Sequence, residues 1–296
     1  MAQATVALKG FIMKTTEKSG AAERLGMSHL GVFAYEKKMP SWLESLLRRH
    51  GIVSSDGSVE ALMRCLGQTT ATESAYLCDP RVRQIFKLKR EGQFCGYRNI
   101  QMLSSYIIAS EMPGSENFMN KIPSIFDLQD AIERAWRRGI RPEGLIETGG
   151  IKGTRKFIGT PEVEALLTSF GVPYKVHIIR YGKGKSSTKA LLRIVEGYFQ
   201  GACGEAAVDP SPKVRGTSIP PLYFQTPVHS MTIVGIEKLR NGGANLLVFD
   251  PKYHDIEMVS CAIERGFQAG EGKEFLKLYR RDLIYLSRYS EFELLE

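Results

Sequence analysis

Apolar residues recur along the chain at helical spacing in several separate stretches. Ile100, Leu103 and Ile107 stand at i, i+3 and i+7, the spacing of a buried helix face, in a pattern that starts directly after Cys95 and runs to about Ser110. Leu128, Ile132 and Trp136 repeat at i, i+4 and i+8, with Ser124 as N-cap and Gly139 at the end, and Trp136 is most simply a core residue. A shorter helical element is predicted within residues 39–51. There Trp42, Leu43, Leu46 and Leu47 share one face, Ser41 and Glu44 have capping-box spacing, and Gly51 suits the position past the end. Further helices are predicted over Val59–Leu66 and from Thr160-Pro161 to the closing Gly171. Residues 190–199 fit a helix or a strand.

Strand-like stretches gather in the second half. Residues 174–181 are rich in β-branched positions and contain His177, which reads as structural. Residues 229–237 and 245–250 are two strands, and the Asn241-Gly242-Gly243 between them is a hairpin signal. Loops are predicted through Asp79-Pro80, at Pro113-Gly114-Ser115, among Gly149, Gly150, Gly153 and Gly159, over 182–187 and over 201–221. A basic approach segment leads towards Cys95, and residues 1–30 carry little organisation beyond a short helix near Ala21–Leu25.

Composition narrows the class. At 296 residues, 43% hydrophobic and 24% charged, the chain can bury a sizeable core. It contains no apolar run of about 18 residues, so a membrane span is not expected, and its N-terminus lacks the features of a secretory signal. The five cysteines form no C-x-x-C pair, which argues against a disulfide framework and a finger-type zinc site; no metal or cofactor is expected. The cytosol or nucleus is the natural compartment. The net charge of +8 is spread, with small clusters at Arg137-Arg138, Lys183–Lys189 and Arg280-Arg281. It is compatible with a weak nucleic-acid contact through the basic surface, although no motif supports one.

The candidate chemistry begins at Cys95. A thiol in the first turn of a helix meets unpaired N–H groups and the positive end of the macrodipole, which favour the nucleophilic thiolate; the plain alternative is a buried, inert cysteine. A partner base breaks the tie. If Ile236 faces Gly243 across the hairpin, His229 faces Asp250 on the same side, with Cβ atoms about 4.5–5.5 Å apart. That carboxylate can hold the imidazole tautomer, and His229 can accept the thiol proton. A one-residue slip would separate the pair. His254 is the rival base, in an irregular segment beyond Pro251. Gln225 and Gln93 are two candidate oxyanion donors beside the backbone N–H of Cys95.

The residues also carry a resemblance. Cys95-Gly96-Tyr97-Arg98-Asn99-Ile100-Gln101-Met102-Leu103 resembles the nucleophile motif of the papain-like cysteine peptidases that include the zinc-finger-containing ubiquitin peptidases and the ubiquitin-fold-modifier proteases. The likeness continues through Ala135-Trp136, Pro142-Glu143-Gly144, Ile158-Gly159-Thr160-Pro161-Glu162, His229-Ser230-Met231-Thr232 and Phe249-Asp250-Pro251, covering roughly residues 30–290. The modifier proteases carry an Asp-Pro-His motif. Here Lys252 follows Pro251 and the histidine precedes the aspartate, the pattern of the ubiquitin-directed branch.

The resemblance implies an α+β fold. It would comprise a papain-like core over 55–296, an antiparallel or mixed sheet flanked by helices, preceded by a helical ubiquitin-contacting extension over 31–54 and a poorly ordered segment over 1–30. By the same resemblance Cys95, His229 and Asp250 are nucleophile, base and orienting acid, Gln225 is the oxyanion residue, and Glu36, Trp42, Leu43 and Leu46 help hold ubiquitin. The implied substrate is polyubiquitin linked through lysine 63 of ubiquitin, and the sequence carries no zinc-finger array. Alternatives are a protease for the ubiquitin-fold modifier, or a non-catalytic ubiquitin-binding or nucleic-acid-binding module.

Overall fold

The elements follow one another closely. A 3₁₀ turn at Gly31–Phe33 leads to α1 (Ser41–His50), β1 (Val53–Ser55), α2 (Ser58–Gln68), β2 (Thr72–Leu77) and β3 (Gln84–Phe86). The cysteine helix α3 (Cys95–Ala109) precedes α4 (Ile125–Arg137), α5 (Glu143–Thr148), α6 (Thr160–Phe170), β4 (Val176–Arg180) and α7 (Lys185–Gly201). Then come β5 (Val214–Gly216), β6 (Leu222–Gln225), β7 (Ser230–Leu239) and β8 (Ala244–Phe249). Last are α8 (Ile256–Glu264), α9 (Glu271–Tyr279), β9 (Arg280–Arg281), α10 (Leu283–Leu286) and β10 (Glu291–Leu295). This is a computed structural model that describes residues 31–180, 185–202, 212–252, 256–267 and 271–296. The N-terminal segment 1–30, His254 and Cys203 lie outside the described residues, as do Gly182, Lys183 and Gly184 of the expected 182–187 loop.

The fold is α+β, as expected. An eight-stranded sheet runs β4-β10-β6-β7-β2-β5, with β8 on β7 and β9 on β8. Its pairings are antiparallel except for β2 with β5. β7 is the hub: its first half pairs with β6, its second with β2, and its other edge with β8. A strand enclosed this way has no solvent face, and the first eight positions of β7 are all buried.

α3 lies against β7, and every residue from Cys95 to Ile107 is buried. The face expected at positions 100, 103 and 107 is therefore only part of what this helix hides. Most of its polar side chains are tolerated because they find partners. Gln101 Nε2 donates to Pro123 O at 2.8 Å and Ser104 Oγ to Ile100 O at 2.7 Å. Arg98 forms a fully buried pair with Glu91 and also donates to Gly51 O at 2.6 Å.

Several local expectations change. At α1 the N-cap is Pro40, without a side-chain cap, and Glu44 pairs with Arg48 instead of closing a box with Ser41. Gly51 is right-handed. The capping box forms at α4, where Ser124 and Asp127 exchange bonds. Residues 185–201 make a continuous helix, settling 190–199 as helical and taking Lys185–Ser187 out of the expected loop. Strands β2, β3 and β5 occupy stretches read as loop or approach segment, β1 lies at the end of the expected helical extension, and α5 sits between Pro142 and Gly149. Apart from β2, these strands are three residues long, and a run that short is held by its partner rather than by its own periodicity.

The expected boundary at residue 54 falls inside β1, which pairs with β3. Met39, Leu43 and Leu47 belong to the same hydrophobic core as Trp136 and Phe249. The extension is thus packed on the body through these apolar anchors, and Met39 N donates to Gly153 O at 2.7 Å.

Candidate active site

Cys95 is the first residue of α3, and no side chain caps that helix start. The chain reaches it through Gly92, whose φ of 94° is a left-handed conformation suited to glycine. A Cβ there would also lie 3.1 Å from Arg155 Cδ and 3.3 Å from the Phe33 ring. The unsatisfied N–H groups and helix dipole thus converge on the sulfur.

His229 and Asp250 lie just outside the facing ends of β7 and β8. The register differs from the simple hairpin reading. Ile236 faces Leu246, three positions from the expected Gly243. An odd slip alone would put histidine and aspartate on opposite faces. The ladder, however, shifts between Ile233 and Gly235: Ile233 faces Val248, Gly235 faces Leu247, and Val234 is the extra residue. The net slip becomes even, and the two side chains return to one face. His229 Nε2 donates to Asp250 Oδ1 at 2.7 Å. Because Nε2–H is held by a carboxylate, Nδ1 is the nitrogen left for the thiol.

Electrostatics define the resting state. Burial pushes the Cys95 thiol up, but the hydrogen bond and charge of His229, with hydrogen bonds from Ser230, outweigh it and bring the thiol to about 7. Burial disfavours charge on His229 as well, yet its bonds to Asp250 and Cys95 raise it to about 9. Burial would also raise Asp250. The His229 bond and charge, the Arg281 charge and the Lys252 N–H overcome this and hold the carboxyl well below the usual range. A sulfur with a pKa below its neighbouring imidazole rests as a thiolate–imidazolium pair, the form that attacks carbonyls.

The other expected residues are placed as follows. Gln225 is fully buried, and its amide donates to Thr226 O at 2.5 Å and to His229 O at 3.4 Å, bracing the turn that carries the histidine. Gln93 lies against Gly31 of the 3₁₀ turn that precedes α1. Glu36 is committed to Arg155, accepting from its backbone N at 2.6 Å and from Nε at 2.9 Å. Trp42 is half exposed, Leu46 partly so, and Leu43 is fully buried. Leu43 therefore fastens α1 to the body and presents no contact surface in this arrangement. His177 pairs with Glu296 at 2.9 Å, away from the thiol, as a structural residue. Among the described residues no group of three or more His, Cys, Asp or Glu could hold a metal ion, and no helix is long and apolar enough to cross a membrane.

Sequence reasoning missed Arg281, read only as part of a surface basic pair. β9 pairs antiparallel with β8, and Arg281 Nη2 donates to Asp250 Oδ2 at 2.7 Å. Its neighbour Arg280 is taken by the buried Glu237. No local signal marks either role, because both partners are distant in sequence. Asn99 and Ser230 were also missed. They were legible in principle, as the residue one turn past the thiol and the residue after the histidine.

Comparison with known proteins bears on this geometry. Residues 71–295 match the profile of Peptidase family C78. The chain is 35% identical over 230 residues to zinc finger-containing ubiquitin peptidase 1 of Homo sapiens, covering 77% of this chain and 39% of that protein. It is similar at 36% over 211 residues to the Mus musculus protein of the same name, covering 70% of this chain and 36% of that one. It is 30% identical over 169 residues to ubiquitin carboxyl-terminal hydrolase mug105 of Schizosaccharomyces pombe, covering 56% of this chain and 63% of that protein. The chain thus spans about two fifths of the length of the zinc-finger relatives it matches. Among solved structures it is similar to UfSP from C. elegans at a TM-score of 0.49 and 14% identity, covering 83% of this chain and 37% of that one.

Proposed function

This chain belongs to peptidase family C78, and on that premise we propose that it is a deubiquitinating cysteine peptidase that hydrolyses isopeptide bonds in polyubiquitin. One observation carries the proposal: an imidazole whose Nε2 is held at 2.7 Å by a buried carboxylate adjoins the thiol at the start of α3, bringing the thiol to about 7 while the imidazole rises to about 9. In this reading the Cys95 thiolate attacks the carbonyl of the modifier's C-terminal glycine. The Cys95 backbone N–H receives the developing oxyanion. Gln225 adds a second donor by giving up its long 3.4 Å bond to His229 O. Protonated His229 passes its Nδ1 proton to the leaving amine, and the thioester forms as the C–N bond breaks. Neutral His229 then takes a proton from water, which attacks the thioester; the C–S bond breaks, the acid product gives its proton to solvent, and the Cys95 thiolate is left beside protonated His229. Asp250 keeps the imidazole in one orientation throughout.

The ubiquitin-directed reading is supported by the relatives' names and by Lys252 standing where the modifier proteases carry histidine. Trp42 and Leu46 are the exposed part of α1 that would meet ubiquitin, and lysine-63 linkage is the finer reading. The test is labelling by a ubiquitin C-terminal electrophile beside a ubiquitin-fold-modifier electrophile, followed by digestion of diubiquitins of every linkage. Faster labelling by ubiquitin, lost in Cys95→Ala, is expected. Faster labelling by the other modifier would transfer the activity to that substrate, and no labelling, with salt-sensitive retention on DNA, would leave a binding module.

A further inference from the structure

Four polar side chains share the face of β6 and β7 that looks at the start of α3. Gln225 pairs with Ser230 and Tyr223 with Thr232 across the two strands, and positions two apart on a strand lie on one face. All four are fully buried, as is Asn99 on α3 opposite them. Five buried polar groups beside a nucleophile are costly unless each is satisfied, so the direction of every proton can be followed.

Thr232 Oγ1 donates to Asn99 Oδ1 at 2.9 Å, which fixes the amide with its carbonyl towards Thr232. The other end, Nδ2, then donates to Ser230 Oγ at 3.0 Å. Tyr223 OH donates to Gln225 Oε1 at 3.1 Å, and the Gln225 amide is held by the Thr226 and His229 carbonyls. With its oxygen accepting from Asn99, Ser230 has one proton to give. Asn99 lies one turn past Cys95 on α3, so its bond to Ser230 brings that hydroxyl to the first turn of the helix, where two acceptors adjoin it, the Cys95 sulfur and the Tyr223 oxygen. Burial keeps the Tyr223 phenol neutral, so the anionic sulfur is the stronger acceptor. The reversed amide would draw the Ser230 proton to Asn99 and leave the sulfur without it, and charge on the sulfur selects against that.

We infer that Ser230 is a catalytic hydrogen-bond donor to the Cys95 sulfur, and that Asn99, oriented by Thr232, is the positioning residue that reserves its proton for that bond. The inference rests on the peptidase reading for its purpose but not for its test. The titratable groups around the sulfur are His229 on the β6–β7 turn, Tyr223 on β6 and, through His229, Asp250. Ser230 supplies what none of these does: a donor that stays in place whichever way the His229 proton has moved. It holds the thiolate when it is the resting nucleophile and again when it is the leaving group of the thioester.

The experiment is the pH dependence of Cys95 alkylation by iodoacetamide, read at that residue by mass spectrometry, which involves no modifier. Ser230→Ala should move the half-point up by about one pH unit, the size expected for one charge-assisted hydrogen bond. Ser230→Thr should restore it, and Asn99→Leu should shift it the same way by less. Asn99→Leu should add nothing in the Ser230→Ala background, because Asn99 acts only through Ser230. Thr232→Val, which keeps the volume, should also raise the half-point and serves if Ser230→Ala does not fold. An unmoved curve in folded Ser230→Ala or in Thr232→Val overturns the inference, as does a shift produced instead by Tyr223→Phe. If modifier probes fail to label but these shifts appear, the peptidase reading falls and the donor assignment stands.

Discussion

Arg281 grips the Asp250 carboxylate from the side opposite His229. Its Nη2 donates to Oδ2 at 2.7 Å, while the imidazole holds Oδ1 at the same distance. Arg281 is itself fixed by Nη1 bonds to the Leu278 and Arg280 carbonyls, both at 3.0 Å. A two-residue strand at the edge of the sheet therefore sets the position of the acid. Arg281→Ala should destabilise the fold by about 3 kcal/mol, since it leaves a buried carboxylate with one partner fewer. Turnover should fall by roughly ten- to a hundredfold through misplacement of His229. Arg281→Lys should recover little, because one ammonium nitrogen cannot stand in both places that Nη1 and Nη2 occupy between the two carbonyls and the carboxylate. Urea unfolding and probe labelling read the two effects separately.

Asp250→Asn keeps the shape of the acid and reverses its hydrogen-bond sense. The amide can donate to His229 Nε2 and so favour the tautomer with the proton on Nδ1, which cannot accept from the thiol. Turnover should drop by about 10⁴-fold with little change in substrate binding. Steady-state kinetics with separate binding measurements test this, and unchanged turnover would mean that another group orients the ring.

The pH profile follows from the two active groups. Below about 7 the Cys95 thiol is protonated and the nucleophile is lost, and above about 9 His229 is neutral and cannot protonate the leaving amine. kcat/KM should therefore rise through about 7, hold a plateau, and fall through about 9. A flat profile across that interval would contradict the ion pair. Stability has its own dependence. Asp250 is held below its ordinary value, so its contribution is fully present above the ordinary carboxylate range and is lost as pH falls through the depressed folded value. Acid titration of unfolding should show this loss in the native chain and lack it in Asp250→Asn.

Gly96 gives the loop after α5 its approach to the thiol. A Cβ there would lie 2.6 Å from Ile158 Cγ1 and 2.9 Å from Ile158 O, and the carbonyl cannot rotate away as a side chain could. Gly96→Ala should destabilise by about 1–3 kcal/mol through overpacking. Labelling by a modifier electrophile should slow more than stability predicts, because the displaced backbone adjoins Cys95. Comparing thermal unfolding with labelling rates separates the two.

Gln225→Leu isolates the role of its amide. As a second oxyanion donor its removal should lower kcat by about 10²-fold with KM nearly unchanged. A change confined to stability would leave Gln225 as a brace for the His229 turn.

The sequence by itself determined the parts that are local. Cys95 at a helix start, the Ser124 cap, the Gly171 stop and the hairpin bearing His229 and Asp250 all follow from neighbours in the chain, because caps, turns and periodicity are settled within a few residues. Tertiary structure decided what depends on distant partners. The hairpin reading reached the right pair through the wrong register. Only the extra Val234, whose carbonyl accepts from Cys78 N at 2.8 Å across the sheet, returns histidine and aspartate to one face. Arg281, the buried Arg98–Glu91 pair and the short strands β1, β3 and β5 likewise left no local trace. Their hydrogen bonds and charges are satisfied by segments far away along the chain, and a buried charge is recognisable only when its partner is in view.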